Sequence, residues 1–273
     1  AFKWESFFGI LTVAPAIAYK VSDTFSIGAS LNLSYGMLKL DRPTSLGQYS
    51  EDLDGFAVGA TIGVLFQPSK KFQIGLTWKS PIKATLSGES EMQGAPLLGL
   101  PAMDDAERSV TFPMWFAGGI AFKPTDKLTI TADAQYTNWK KLDKIPISFA
   151  NPGWVLFLEE ATALHLEWKD AVQLRFGMEY KVSETFALRA GYYFDPSPSE
   201  KGTMNILLPE IEYNWVCFGF GYKGKKVNID FAVEYGAGKD IDVGLLEAIP
   251  DVGMPGIHGM SMVVPSLAIT IKL

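Results

Sequence analysis

The chain has 273 residues, 48% of them hydrophobic and 13% aromatic, with 26 glycines and a formal net charge of −6. An acidic balance excludes nucleic acid as a partner, because phosphate binding needs clustered lysine and arginine. Cys217 is the single cysteine and allows no internal disulfide, and no window holds the roughly 18 apolar residues that a membrane-spanning helix needs. No positively charged leader with an apolar core precedes Ala1-Phe2-Lys3-Trp4, so the chain reads as mature, trimmed or soluble.

In chain order, Leu11–Tyr19 feeds a short turn. Phe25, Ile27, Ala29, Leu31, Leu33 and Tyr35 then alternate with Ser26, Gly28, Ser30, Asn32, Ser34 and Gly36. Strict period two predicts a strand with one apolar face. The same unit recurs around the turns 67–71, 123–127, 182–185 and 223–226. Its clearest copy is Val172–Lys181 followed by Phe186–Asp195: Val172, Leu174, Phe176, Met178 and Tyr180 share one face, and Gln173, Arg175, Gly177 and Glu179 share the other. With a last strand carrying Leu267, Ile269, Ile271 and Leu273, five hairpins and a closing strand make eleven strands.

Turns within hairpins are short, and the connections between them are long: Asp41–Asp54, Gly88–Arg108, Leu142–Lys169, Pro196–Tyr213 and Gly236–Met260. Short turns on one rim, long loops on the other and strands of about ten residues are the layout of a transmembrane barrel. Aromatics such as Tyr19, Phe72, Trp78, Phe122, Tyr180 and Tyr222 sit near strand ends, as interfacial girdles do. We therefore expect an all-β, antiparallel up-and-down transmembrane barrel forming one domain over residues 1–273, outward-apolar and inward-polar. Lys20, Lys70, Lys71, Lys123, Lys127, Lys181, Lys225 and Lys226 would then lie on the short-turn, periplasmic rim. Pro15, Pro81, Pro113 and Pro265 interrupt strands and predict bulges or rim positions. Single-chain bacterial barrels have even strand numbers, so eleven implies an odd number of strands missing upstream.

Ala14-Pro-Ala-Ile-Ala-Tyr-Lys-Val-Ser-Asp23, Phe112-Pro113, Asp133-Ala-Gln-Tyr-Thr-Asn-Trp139, Trp168-Lys-Asp170, Leu188-Arg-Ala-Gly-Tyr192 and Asp195-Pro-Ser-Pro198 together resemble the FadL/TodX family over nearly the whole chain. The resemblance implies an outer-membrane transporter of long-chain fatty acids or aromatic hydrocarbons in a Gram-negative bacterium. It also implies a fourteen-stranded barrel plugged by an N-terminal hatch, of which three strands and the hatch would be absent here. A monomer in contact with outer-membrane lipid is expected, with no cofactor and no metal. This chain departs from the family in ending on Leu273 where members end on an aromatic.

Two residue sets are candidates for the site. Leu97, Leu98 and Leu100, with Trp154, Leu156 and Phe157, are apolar in long loops where water would be their neighbour, and would form an outer groove that captures hydrophobic cargo. The plain alternative is that these loops pack on each other as a lid, with residues 154–166 forming a short amphipathic helix. Lys79, Arg175 and Arg189 face the lumen with Asp133, Glu179, Asp230 and Glu234. They make either a mutually paired network or a cation for a fatty-acid carboxylate. His165 and His258 fall in long loops with no Gly-x-Ser-x-Gly elbow, which argues against a hydrolase. A general diffusion porin for polar solutes is the runner-up, and a purely structural or adhesive barrel the third reading. A porin should carry rings of charge at a constriction; small lumen residues and apolar loops favour hydrophobic cargo.

Overall fold

A computed structural model describes residues 3–204, 211–248 and 253–271. The alternating runs form β1 (Glu5–Val13), β2 (Ala16–Lys20), β3 (Phe25–Thr44), β4 (Gly47–Ser69), β5 (Phe72–Lys79), β6 (Ile82–Met92), β7 (Met103–Phe112), β8 (Trp115–Phe122) and β9 (Leu128–Thr137). The second half holds β10 (Lys144–Ile145), β11 (Ile147–Phe149), helix α1 (Pro152–Thr162), β12 (Leu164–His165), β13 (Ala171–Lys181) and β14 (Phe186–Asp195). It closes with β15 (Tyr213–Lys223), β16 (Val227–Gly238), β17 (Ile241–Val243), β18 (Gly256–His258) and β19 (Ser261–Ile271).

Fifteen of these strands join in one sheet. β1 and β2 share one register on β3, β5 and β6 together face β4, β8 and β7 face them in turn, and β11 carries on the line of β9. Counted as continuous staves, eleven strands run up and down in sequence order, as the hairpin count requires. The turns at 20–25 and 181–186 are copies: Val21 and Ser22 both donate to the Phe25 carbonyl, and Val182 and Ser183 both donate to that of Phe186.

The burial pattern is inside out. Along β13 the apolar Val172, Leu174, Phe176, Met178 and Tyr180 are exposed, while Gln173, Arg175 and Glu179 are half-buried. Asn32 is buried on the inner face and donates to Thr61 Oγ1 at 2.9 Å. Water would not tolerate such an outer face. Hydrocarbon would.

Beyond one level this polarity reverses. Outward positions of β3 run from Phe25 to Tyr35 and then become Lys39 and Asp41; across the hairpin, Phe56 gives way to Asp54 and Asp52. Tyr35 packs on Phe56 with tilted rings whose centroids are 4.8 Å apart and donates its hydroxyl to Asp54 at 2.6 Å, which marks the boundary. Above it the inner face is apolar, with Leu38, Leu40 and Leu53 buried. The upper sheet has the polarity of a soluble one.

In β5–β8 the same reversal is made by a slip instead of by composition. Thr61 faces Lys79 but Asp54 faces Ser87, so the β5–β6 stave holds one extra residue. A slip of one residue sends every later side chain to the opposite face. Pro81 has no N–H for the ladder, and Ser80 fills the break: its Oγ accepts from Ala60 N at 2.9 Å. Pro113 sits at the same level on the neighbouring stave, because Lys79 faces Trp115 and Ile82 faces Phe112.

These findings correct three expectations. Asp41–Asp54 is a hairpin that turns between Thr44 and Gly47, and most of Gly88–Arg108 is strand, because alternation continues through both stretches with the faces exchanged. Pro15 lies within a stave and Pro265 inside β19 opposite Val233, neither at a rim nor at a bulge, whereas Pro81 meets the bulge expectation at the one-residue slip and Pro113 faces it. His165 and His258 belong to short outer strands, β12 against β10 and β18 against β17.

Candidate functional site: an outer cap above a polar lumen

The upper sheet buries its apolar face against the segment that connects β9 to β13. Leu38, Tyr49, Leu53 and Leu86 from the sheet meet Ile147, Phe149, Trp154 and Leu158 in one core. α1 begins where Asn151 Oδ1 accepts from Gly153 N at 2.8 Å, with Pro152 in the first turn. Trp154 and Leu158, four residues apart, turn the same helical face into the core. Trp154 packs on Phe149 at 5.0 Å, and its indole N–H donates to the Pro101 carbonyl at 3.0 Å. That bond ties α1 to the 95–101 segment. A Cβ on Gly153 would come within 2.3 Å of Leu100, so the two pieces touch closely.

The far end of α1 is held by a buried ion pair. Arg108 and Glu51 are both 0% exposed, with Nη2 to Oε2 at 2.8 Å and Nε to Oε1 at 2.8 Å. Arg108 also donates to the carbonyls of Thr162 (2.9 Å) and Ile145 (3.2 Å), while Tyr49 donates to Glu51 at 2.7 Å. A guanidinium at a helix C-terminus satisfies carbonyls that the helix leaves unpaired. Burial pushes the Tyr49 hydroxyl pKa far up, which keeps it a donor.

At the root of the cap, Asp170 accepts from Tyr136 Oη (2.7 Å), Asn138 Nδ2 (2.8 Å) and Lys140 N (3.1 Å). The Tyr136 hydroxyl, then the Lys140 amide and the Asn138 amide, hold the Asp170 carboxyl below the usual carboxylate range. Trp139 and Trp168 meet edge to face at 5.3 Å, and Lys169 N donates to the Pro198 carbonyl. Three separate sequence motifs are thus one clamp.

The lumen wall below is paired. Arg189 donates to Glu179 (2.8 Å) and Asp230 (2.5 Å). Arg175 lies 3.6 Å from Asp133 and donates to Gln173 and Gln135. Tyr193 stacks on Trp215 at 5.3 Å and donates to Glu234 at 2.9 Å.

A family model described as outer membrane protein transport protein (OMPP1/FadL/TodX) matches residues 6–253. The chain belongs to this family. Its members are outer-membrane proteins, which is where the exposed apolar belt finds its solvent. Outer membrane protein P1 of Haemophilus influenzae is 22% identical over 202 residues, covering 74% of this chain and 42% of that protein. The long-chain fatty acid transport protein of Escherichia coli is 22% identical over 265 residues, 82% of this chain and 58% of that one. The chain therefore spans about half the length of the curated relatives it matches. Among solved structures, a Pseudomonas aeruginosa FadL homologue superposes with a TM-score of 0.78 at 16% identity, covering 97% of this chain and 67% of the other. The Ralstonia pickettii toluene transporter TbuX gives 0.69 at 17% identity, covering 97% and 68%. At such identities the likeness is one of fold.

Within this family fold the expected capture residues divide. Leu97 is 87% exposed, Leu156 75% and Phe157 55%, with Leu98 also exposed. Leu100 is half-buried against the core. Trp154 is 0% exposed, so the expectation that it lines an outer groove is corrected: it is the core anchor of α1. Of the lumen cations, Arg175 and Arg189 are engaged by carboxylates, and Lys79 has no ion pair among the described residues. Arg108 and Glu51 fall outside both expected residue sets. Their signal in the sequence is inward alternation, of Arg108 with Ala106 and Val110 and of Glu51 with Tyr49 and Leu53, in stretches expected to be loop.

Proposed function

We propose that this chain is the wall and cap of a channel for passive uptake of hydrophobic molecules, long-chain fatty acids or aromatic hydrocarbons, across the outer membrane. The observation that carries the reading is the cap itself. Trp154 and Leu158 are spent on the core, yet Leu97, Leu98, Leu156 and Phe157 remain in water on two touching segments. Packing does not need those four side chains, and an apolar ligand gives them a reason. Family members named for fatty acid and toluene transport support the same class of cargo. The lumen charges of Arg175 and Arg189 are largely compensated, which favours an apolar or amphiphilic passenger over a small ion.

The test is uptake in cells carrying the full-length protein with Leu97, Leu98, Leu156 and Phe157 all changed to Ser. Each apolar side chain that the ligand would fully cover contributes about 1.5–3 kcal/mol, and its removal should weaken capture by that amount. Uptake of a fatty acid and of an aromatic hydrocarbon should both fall, with the barrel still folded. Normal uptake of both would reduce the cap to a lid.

A further inference from the structure

The lumen wall is not neutral. Between the short turns and the cap, strand parity turns five carboxylates inward: Asp133, Glu179, Asp195, Asp230 and Glu234. Three cations share that face, Lys79, Arg175 and Arg189, so this stretch of wall carries an excess of two negative charges. Asp133, Glu179 and Asp230 keep 34%, 31% and 42% of their side-chain surface open, so they still face the lumen although each has a partner.

Both guanidiniums are committed to the wall. Arg189 lies between two carboxylates, with Nε donating to Glu179 and Nη1 to Asp230. It spreads over Gly221, where a Cβ would come within 2.8 Å of both Arg189 Nη2 and Asp230 Oδ1. Arg175 is held beside Asp133 and spends Nε and Nη2 on the side-chain oxygens of Gln173 and Gln135. Two carboxylates have no such cation. Glu234 accepts the Tyr193 hydroxyl, and neither it nor Asp195 has an ion pair among the described residues.

We propose that this wall selects uncharged hydrophobic molecules and rejects carboxylates, with Asp195 and Glu234 as the specificity-determining residues. The proposal rests on the transport reading above and narrows its cargo: a fatty acid is held below the cap as the protonated acid and not as the anion. A carboxylate there would meet like charges in a confined space where salt and water screen them poorly. It would also find the arginine donors already taken by wall residues. An uncharged molecule meets neither obstacle, so the discrimination comes from repulsion of the wrong cargo and needs no special contact with the right one.

The test is displacement of the uncharged fluorophore N-phenylnaphthylamine from the full-length protein in a nonionic detergent at neutral pH. Dodecanol, dodecanoate and dodecylammonium are the competitors. Dodecanoate should compete about tenfold more weakly than dodecanol, and dodecylammonium at least as well as dodecanol. Changing Glu234→Gln and Asp195→Asn together should bring dodecanoate to within about threefold of dodecanol and leave dodecanol where it was. The first change keeps an oxygen that accepts from Tyr193, so the wall stays folded. Dodecanoate competing as well as dodecanol in the parent protein overturns the proposal, as does weak dodecanoate competition that the double variant does not move. Dodecylammonium as weak as dodecanoate overturns it too, because any charge would then be excluded alike. Each of these outcomes leaves the transport reading standing, whereas displacement by none of the three competitors overturns that reading and the proposal with it.

Discussion

At the residue scale, the decisive groups are polar ones that the fold buries. Arg108 joins β7 to Glu51 on β4, to the end of α1 and to β10, four pieces of chain on one guanidinium. Arg108→Met should cost about 3–5 kcal/mol, because Glu51 would remain buried and unpaired. Changing Glu51 to Leu as well should restore most of that loss. Denaturant unfolding followed by tryptophan fluorescence would measure both, and equal stability of the single and double variants would discount the pair. Asp170 offers a pH test. Its folded pKa is depressed, so its contribution is complete above the ordinary carboxylate pKa of about 4 and is lost as pH falls through the folded value. The near-ultraviolet dichroism of the Trp139–Trp168 pair should fade with acid in that window. In Asp170→Asn the signal should already be weak and flat with pH.

At the scale of the element, one stave serves two environments. The lower part of β3 turns Leu31 and Leu33 to lipid, and the upper part turns Leu38 and Leu40 to a core, within a single unbroken strand. Leu31→Arg should cost about 2–4 kcal/mol of barrel stability, since the charge would meet hydrocarbon. An Arg at Ser30, on the inner face, should be limited only by room. Folding into bilayers at a series of denaturant concentrations separates the two, and equal stability of Leu31→Arg and the parent would overturn the face assignment. The apolar spacing of α1 makes the helix legible in the sequence, but not its polarity. Three consecutive exposed side chains, Val155, Leu156 and Phe157, blur a helical stripe, and only contact with Phe149 shows which face is inside.

At the scale of the whole molecule, the short-turn and capped ends differ in charge as well as in architecture. If the short turns face the periplasm, a membrane-impermeant amine reagent should leave Lys70 and Lys225 unmodified on intact cells and reach them after permeabilisation. Labelling on intact cells would reverse the orientation. The number of staves, their order, their apolar belt and the family were all determined by the sequence alone, because period-two alternation and short turns are local signals. The extent of the strands above the membrane was not. There the alternation persists with its faces exchanged, by composition in β3 and β4 and by a one-residue slip at Ser80–Pro81 in the next stave, and a pattern read locally does not say which face is in. The Arg108–Glu51 pair, 57 positions apart, and the role of Trp154 as an anchor exist only once strands are in register. Burial and pairing belong to neighbours in space, and those the tertiary structure alone supplies.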